Sequence, residues 1–207
     1  GLTIPTIRSK LYQSNSSVSL SDHDKISKDD IVRGLKLSTK FKKSHEEEVV
    51  CVIPVRFNGD FGISQVPPIG EASRNLIIDT LIITSQKQIL YPYIMAVEKV
   101  GLEVMDICIN AFACAKEAFD AVYLQEGALI IDMGYKTSTI SFYKDGYLKY
   151  LTVCSVGGYN LTRAIAQHLQ ISMNQELECS SRHTSGFLKH EGSERVVMII
   201  WHSSSVR

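Results

Sequence analysis

A chain of 207 residues suits one compact domain or two small ones, and 44% hydrophobic residues are enough to bury a core. Lys plus Arg and Asp plus Glu both number 22, so net charge is zero and no long basic stretch marks nucleic acid as a partner. The longest apolar runs, such as Val196–Trp201, fall far short of the ~20 residues of a membrane-spanning helix. Five scattered cysteines and no secretory signal point to a reducing cytoplasm rather than a disulfide framework. The chain starts at Gly1 rather than Met and is read as open at that end.

Residues Gly1–Leu20 read as one or two ragged strands. Ser27 stands three residues before Asp30, the capping-box offset, and predicts a helix over Lys28–Phe41 with Ile31, Leu35 and Ser38 inward. Gly34 within it is expected to cost about 1 kcal/mol relative to Ala. Lys40–Glu48 reads as a solvated connection. Val49–Phe57 is rich in β-formers, and Pro54 makes it an edge strand or a bulged one. After the turn-rich Asn58–Asn75, Leu76–Thr84 is the clearest strand, with Asp79 read as a solvated position at a sheet edge. A helix follows to about Val100, with Gly101 just past its end. Pro92 either kinks it or sits near its first turn.

Leu102–Ile109 alternates as a strand, and Asn110 is placed as the cap of a helix over Ala111–Tyr123. Cys108 and Cys114 flank this turn and read as buried small hydrophobes. Ala128–Asp132 is a continuous apolar strand ending in a carboxylate, and Gly134–Lys136 turns the chain into a second strand, Thr137–Tyr143. Asp145-Gly146 signals a two-residue hairpin into Tyr147–Ser155. Gly157-Gly158 makes the next turn, and Asn160 is placed as the cap of a helix to about Ile171. Beyond Gln175 no period is sustained, and Glu176–Arg207 reads as a surface loop and tail or as a segment foreign to the fold. Within it, Val196–Trp201 is a strand with no evident partner. Cys179, His183 and His190 supply too few ligands for a structural zinc site.

The chemistry sits in Leu129–Thr139 (LIIDMGYKTST). A tight turn after a buried strand offers backbone N–H groups to phosphate oxygens. Asp132 at the strand tip can hold Mg²⁺ through its waters, because that ion dehydrates reluctantly. Thr137 can donate to a phosphate oxygen. A plain hairpin, with Asp and Thr serving the turn alone, is the other reading.

The order Asp132-Met-Gly134, Thr137-Ser-Thr139, Tyr143-Lys-Asp-Gly146 and Ser155-Val-Gly-Gly158 resembles the second phosphate loop and following hairpin of the actin-like ATPase superfamily. More narrowly, it resembles the FtsA family of bacterial division proteins. Ile26–Arg33, Val52–Phe57, Pro68–Gly70 and Val97–Val104 resemble FtsA segments in the same order, so the likeness covers about residues 1–171. The resemblance implies an α/β (α+β) chain: a partial actin-like ATPase fold, RNase H-like, with an inserted SHS2-type 1C subdomain. On that pattern residues 1–99 form 1C, 100–125 the returning part of subdomain 1A, and 126–174 the start of subdomain 2A. Residues 175–207 are an atypical tail, read as an out-of-frame or vector-derived ending, with an insertion or real divergence as the alternative. The first phosphate loop would precede Gly1, and the adenosine motif, the FtsZ-binding lobe and a C-terminal membrane helix would follow residue 174.

By the same resemblance Asp132, Gly134, Lys136, Thr137, Gly157 and Gly158 are the phosphate-binding candidates, with Asp132 also facing Mg²⁺. ATP and Mg²⁺ are expected in a full-length parent and not in this piece alone, which is expected to be inactive. The expected partners are FtsZ, other division proteins and a second copy, at the inner face of the cell membrane at the division site. A non-catalytic scaffold acting through 1C and a pilus-assembly relative of the same fold are the alternatives. Where the family pattern continues with two glycines this chain has Tyr135 and Lys136, and Thr139 replaces an Asp. Tyr lacks glycine's freedom of φ, which weakens the expected ATP affinity, and Lys136 either meets phosphate as a point charge or faces solvent.

Overall fold

The computed structural model describes residues 1–20, 25–170, 187–192 and 195–201. They gather into two compact units, one of Gly1–Ile4 with Arg8–Cys108 and the other of Pro5–Ile7 with Ile109–Arg207.

β1 (Leu2–Ile4) pairs with β6 (Ile107–Ile109), and in the first unit four strands form a sheet in the order β2-β5-β3-β4. These are β2 (Lys10–Ser19), β3 (Glu47–Gly59), β4 (Gly62–Ser64) and β5 (Asn75–Gln86). β5 is central because its run from Thr80 to Ser85 is buried on both faces, which only a strand flanked on both sides and covered above and below can be. Asp79 therefore lies on a central strand and not, as read from the sequence, at an edge. It stands opposite Arg56 of β3 and accepts from that guanidinium, with Nη2 at 2.6 Å. β4 reaches only the last residues of β3, so the Pro54 half of β3 is an outer edge and its register shifts between Pro54 and Arg56. The half of β3 that holds Pro54 thus has no β4 on its outer side, and an edge with a register shift is where a sheet tolerates proline.

Helix α1 (Lys28–Ser38) starts as the sequence predicts and is shorter. Asp30 N–H donates to Ser27 Oγ at 3.2 Å, and Ser27 N–H donates to Asp30 Oδ2 at 3.0 Å. It packs Ile31 against Val18, Ile26, Phe57, Leu76 and Ile78. Gly34 faces the same core: a Cβ there would stand 2.6 Å from Ile78 Cδ1 and 3.2 Å from Val18 Cγ2. Its missing side chain is what lets helix and sheet approach, so the propensity penalty read from the sequence is offset by packing. Helix α2 (Lys87–Glu98) holds Pro92 in its second turn rather than near its start. Gly101 follows at φ +80°, a value that glycine adopts without strain. Of the strand expected over Leu102–Ile109, only Ile107–Ile109 forms.

In the second unit the helix expected over Ala111–Tyr123 breaks at Phe119–Asp120 into α3 (Asn110–Ala118) and α4 (Ala121–Glu126). A meander follows: β7 (Ala128–Met133), β8 (Ser138–Lys144) and β9 (Tyr147–Cys154), then α5 (Gly158–Leu169). The Asp145-Gly146 turn has φ of +55° and +82°, the left-handed pair that matches strand twist. Asp145 and Gly146 N–H groups also donate to Gln125 O and Leu124 O at 2.9 and 3.0 Å, pinning the hairpin to the end of α4. Two further strands, β10 (Phe187–Gly192) and β11 (Arg195–Trp201), extend the sheet to the order β10-β11-β7-β8-β9. β11 runs parallel to β7, so the strand at Val196–Trp201 does have a partner. No helix among the described residues is long and apolar enough to cross a membrane.

Candidate functional site

The site is built on β7, the hairpin turn after it and the start of α5. Ala128 and Ile130 face inward with Asp132 along β7, and only Asp132 in that alternating set is charged. Burying a carboxylate is costly unless donors meet it. One donor is Asn110: its Nδ2 lies 3.0 Å from Asp132 Oδ2. Asn110 is thus the first residue of α3, whose cap is Ile109 without a side-chain bond, and not the cap expected from the sequence. Its amide looks across the unit, and its Oδ1 takes a long contact from Cys114 Sγ at 3.8 Å. Cys108 and Cys114 are half-buried rather than buried as expected.

Nearby, Tyr143 on β8 is wholly buried and donates its hydroxyl to Ala111 O at 3.1 Å. Burial, with a smaller effect from Cys114, pushes its hydroxyl well above the ordinary phenol range. On α3, the Ala111 N–H donates to Thr6 Oγ1 at 3.2 Å. The Asp132 carboxylate therefore sits at the end of a strand whose neighbours are held in place by long-range bonds.

The turn itself is closed by Gly134 N–H donating to Thr137 O at 2.9 Å. Gly134 and Thr137 are half-buried, and Lys136 is exposed at the tip. Gly157 and Gly158 stand against the same turn. Gly158 N–H donates to Gly134 O at 2.9 Å and Gly157 N–H to Asn160 Oδ1 at 3.0 Å. Asn160 is therefore the third residue of α5 reaching back to Gly157, not the cap itself. The structure thus brings Asp132, Gly134, Lys136, Thr137, Gly157 and Gly158 onto one turn and the helix end beside it. The sequence reading missed Asn110 as a partner of Asp132, and Tyr135 and Tyr159, whose rings meet edge-on at 5.6 Å between centroids.

Among the described residues, no group of three or more His, Cys, Asp or Glu converges to hold a metal ion directly. One strand-tip carboxylate fits a hydrated Mg²⁺ met through its water shell, the mode that ion prefers. Cys179 and His183 lie outside the described residues.

No family model matches the chain. It is 28% identical over 166 residues to the cell division protein FtsA of Bacillus subtilis, covering 80% of this chain and 38% of that protein. Against FtsA of Staphylococcus epidermidis it is 28% identical over 170 residues, covering 81% and 36%. Among solved structures, the PilM-PilN type IV pilus biogenesis complex matches with a TM-score of 0.48 at 14% identity, over 83% of this chain and 47% of that one. The chain therefore spans well under half the length of the curated relatives it matches. In sequence this mixed α/β chain is similar to the FtsA proteins of bacterial cell division across about four-fifths of its length.

Proposed function

We propose that the chain is the part of an FtsA-like division protein that supplies one wall of a nucleotide cleft. On this reading Gly134, Lys136 and Thr137, with Gly157 and Gly158 behind them, face the phosphates of ATP. Asp132 faces the hydrated Mg²⁺, which would shield phosphate charge when bound. The observation that carries the reading is a buried carboxylate, 8% exposed, at the tip of β7 and directly before a turn docked on a helix start. The 28% identity to FtsA over 166 residues supports it. Residues 1–99 are assigned to a 1C subdomain of SHS2 type, 100–125 to 1A, 126–174 to 2A, and 175–207 to an atypical tail. In the full-length protein, contacts with FtsZ and other division proteins, self-association and a C-terminal membrane helix would hold it at the inner face of the membrane at the division site.

The deciding experiment is titration of Mg-ATP into the full-length protein, followed by calorimetry. Saturable binding that weakens when Asp132→Ala is introduced supports the reading. No Mg-dependent binding removes it. A second reading, a scaffold that acts through the first unit with nucleotide unused, is favoured by Tyr135 and Lys136 standing where the family pattern has glycine. It requires full function in division from a full-length Asp132→Ala protein.

A further inference from the structure

The hairpin turn and the start of α5 satisfy each other. The N–H groups of Gly158 and Tyr159 donate to the carbonyls of Gly134 and Tyr135 at 2.9 and 2.8 Å. A Cβ on Gly157 would stand 2.6 Å from both of those oxygens, so only glycine allows the approach. The Tyr135 ring meets the Tyr159 ring at 5.6 Å and 69°, an edge-to-face pair, with both side chains still partly open to solvent. Just beyond, Ser138 Oγ donates to Val156 O at 2.6 Å and fastens the same two segments again.

A helix start ordinarily offers its first N–H groups to an anion. Here the Gly158 and Tyr159 N–H groups are spent on the turn and the Gly157 N–H on Asn160. We propose that Tyr135 is a positioning residue: its carbonyl and its ring clamp the turn 134–137 onto α5. Gly157, Gly158 and Tyr159 then act on a phosphate-bearing ligand by shaping the turn, not by touching it, and Lys136 is left as the exposed cation at the tip. The substitution that looks like damage to a glycine-rich loop is a replacement of loop freedom by a fixed turn. The ligand half of this inference rests on the nucleotide reading; the clamp does not.

The test is amide hydrogen exchange, followed by NMR on the 207-residue chain, with Leu129–Ile131 of β7 as the internal reference. Tyr135→Phe keeps ring and carbonyl and is expected to leave the Gly158 and Tyr159 amides as slow as in the unaltered chain. Tyr135→Gly is expected to speed them by about three- to tenfold relative to β7, the size an edge-to-face pair supports. Unchanged rates in Tyr135→Gly overturn the clamp, and this variant decides even where Gly157→Ala fails to fold. In the full-length protein, Tyr135→Gly is expected to weaken Mg-ATP binding by a similar factor while Tyr135→Phe does not. Equal affinity in all three overturns the positioning role. A full-length protein that binds no Mg-ATP at all sinks the nucleotide reading, and the exchange rates still decide the clamp.

Discussion

The side-chain amide of Asn110 donates to Asp132 Oδ2 at 3.0 Å, joining the first residue of α3 to the end of β7. Because Asp132 is buried, each donor it keeps offsets a desolvation cost. Asn110→Ala removes one such donor and is expected to lower stability by about 1–3 kcal/mol in urea denaturation. Asn110→Asp, which sets two carboxylates together, is expected to cost more at pH 7 than at pH 4. Midpoints equal to that of the unaltered chain would show that the bond holds nothing.

Gly34→Ala tests the opposite intuition about helices. Propensity alone favours Ala by about 1 kcal/mol. The new methyl would press on Ile78 and Val18, both buried, and overpacking a tight core costs about 1–3 kcal/mol. The expected outcome is a net loss of stability, read as a lower melting temperature; a rise would mean that Ile78 turns aside freely.

The polar knot around Glu47 predicts a pH dependence. Lys10 Nζ, Tyr12 Oη and Thr84 Oγ1 donate to its carboxylate at 2.5, 3.0 and 3.1 Å. The Lys10 bond, ahead of those from Tyr12 and Thr84 and against the effect of burial, holds the Glu47 carboxyl below its ordinary range. A depressed native value gives stability that is full above the unfolded carboxyl's pKa of about 4.3 and is lost as pH falls through the native one. Stability of the unaltered chain relative to Glu47→Gln, measured from pH 7 to pH 3, is therefore expected to be greatest above about pH 5 and to shrink below it. A gap that is constant with pH would contradict the knot.

Much of this architecture is legible in sequence where the cause is local. Ser27 and Asp30 announce α1, Asp145-Gly146 announces the hairpin, and the apolar run into Asp132 announces β7. What escapes is set by distant residues. Asn110 looks like a cap because capping is the only role a neighbouring window offers; its partner is on another strand. Asp79 looks solvated until Arg56 is placed opposite it. Gly34 looks like a weak point until the core beneath it is seen. Asn160 fails by a smaller margin, because Gly157 and Asn160 exchange the cap and third positions without changing the helix. In the site, the acidic strand tip and the glycines are readable from residue order, whereas the docking of turn on helix depends on carbonyl groups that no residue type encodes.

The chain of 207 residues is expected not to hydrolyse ATP. Phosphoryl transfer needs phosphates held from several sides with metal and water in place, and on the proposed reading this chain supplies only one wall of that arrangement. Phosphate release above a no-protein control, lost on Asp132→Ala, would refute the one-wall picture.

The strand pairings of the two units also set different search problems for the folding chain. In the second unit, β7, β8 and β9 close through short neighbouring turns. In the first, Lys10 must find Thr84 and Ser19 must find Asn75 before β2 has any place in its sheet. Loop closure on that scale is entropically slow, so the hairpins that hold Asp132 can assemble while the other sheet is still looking for its first strand.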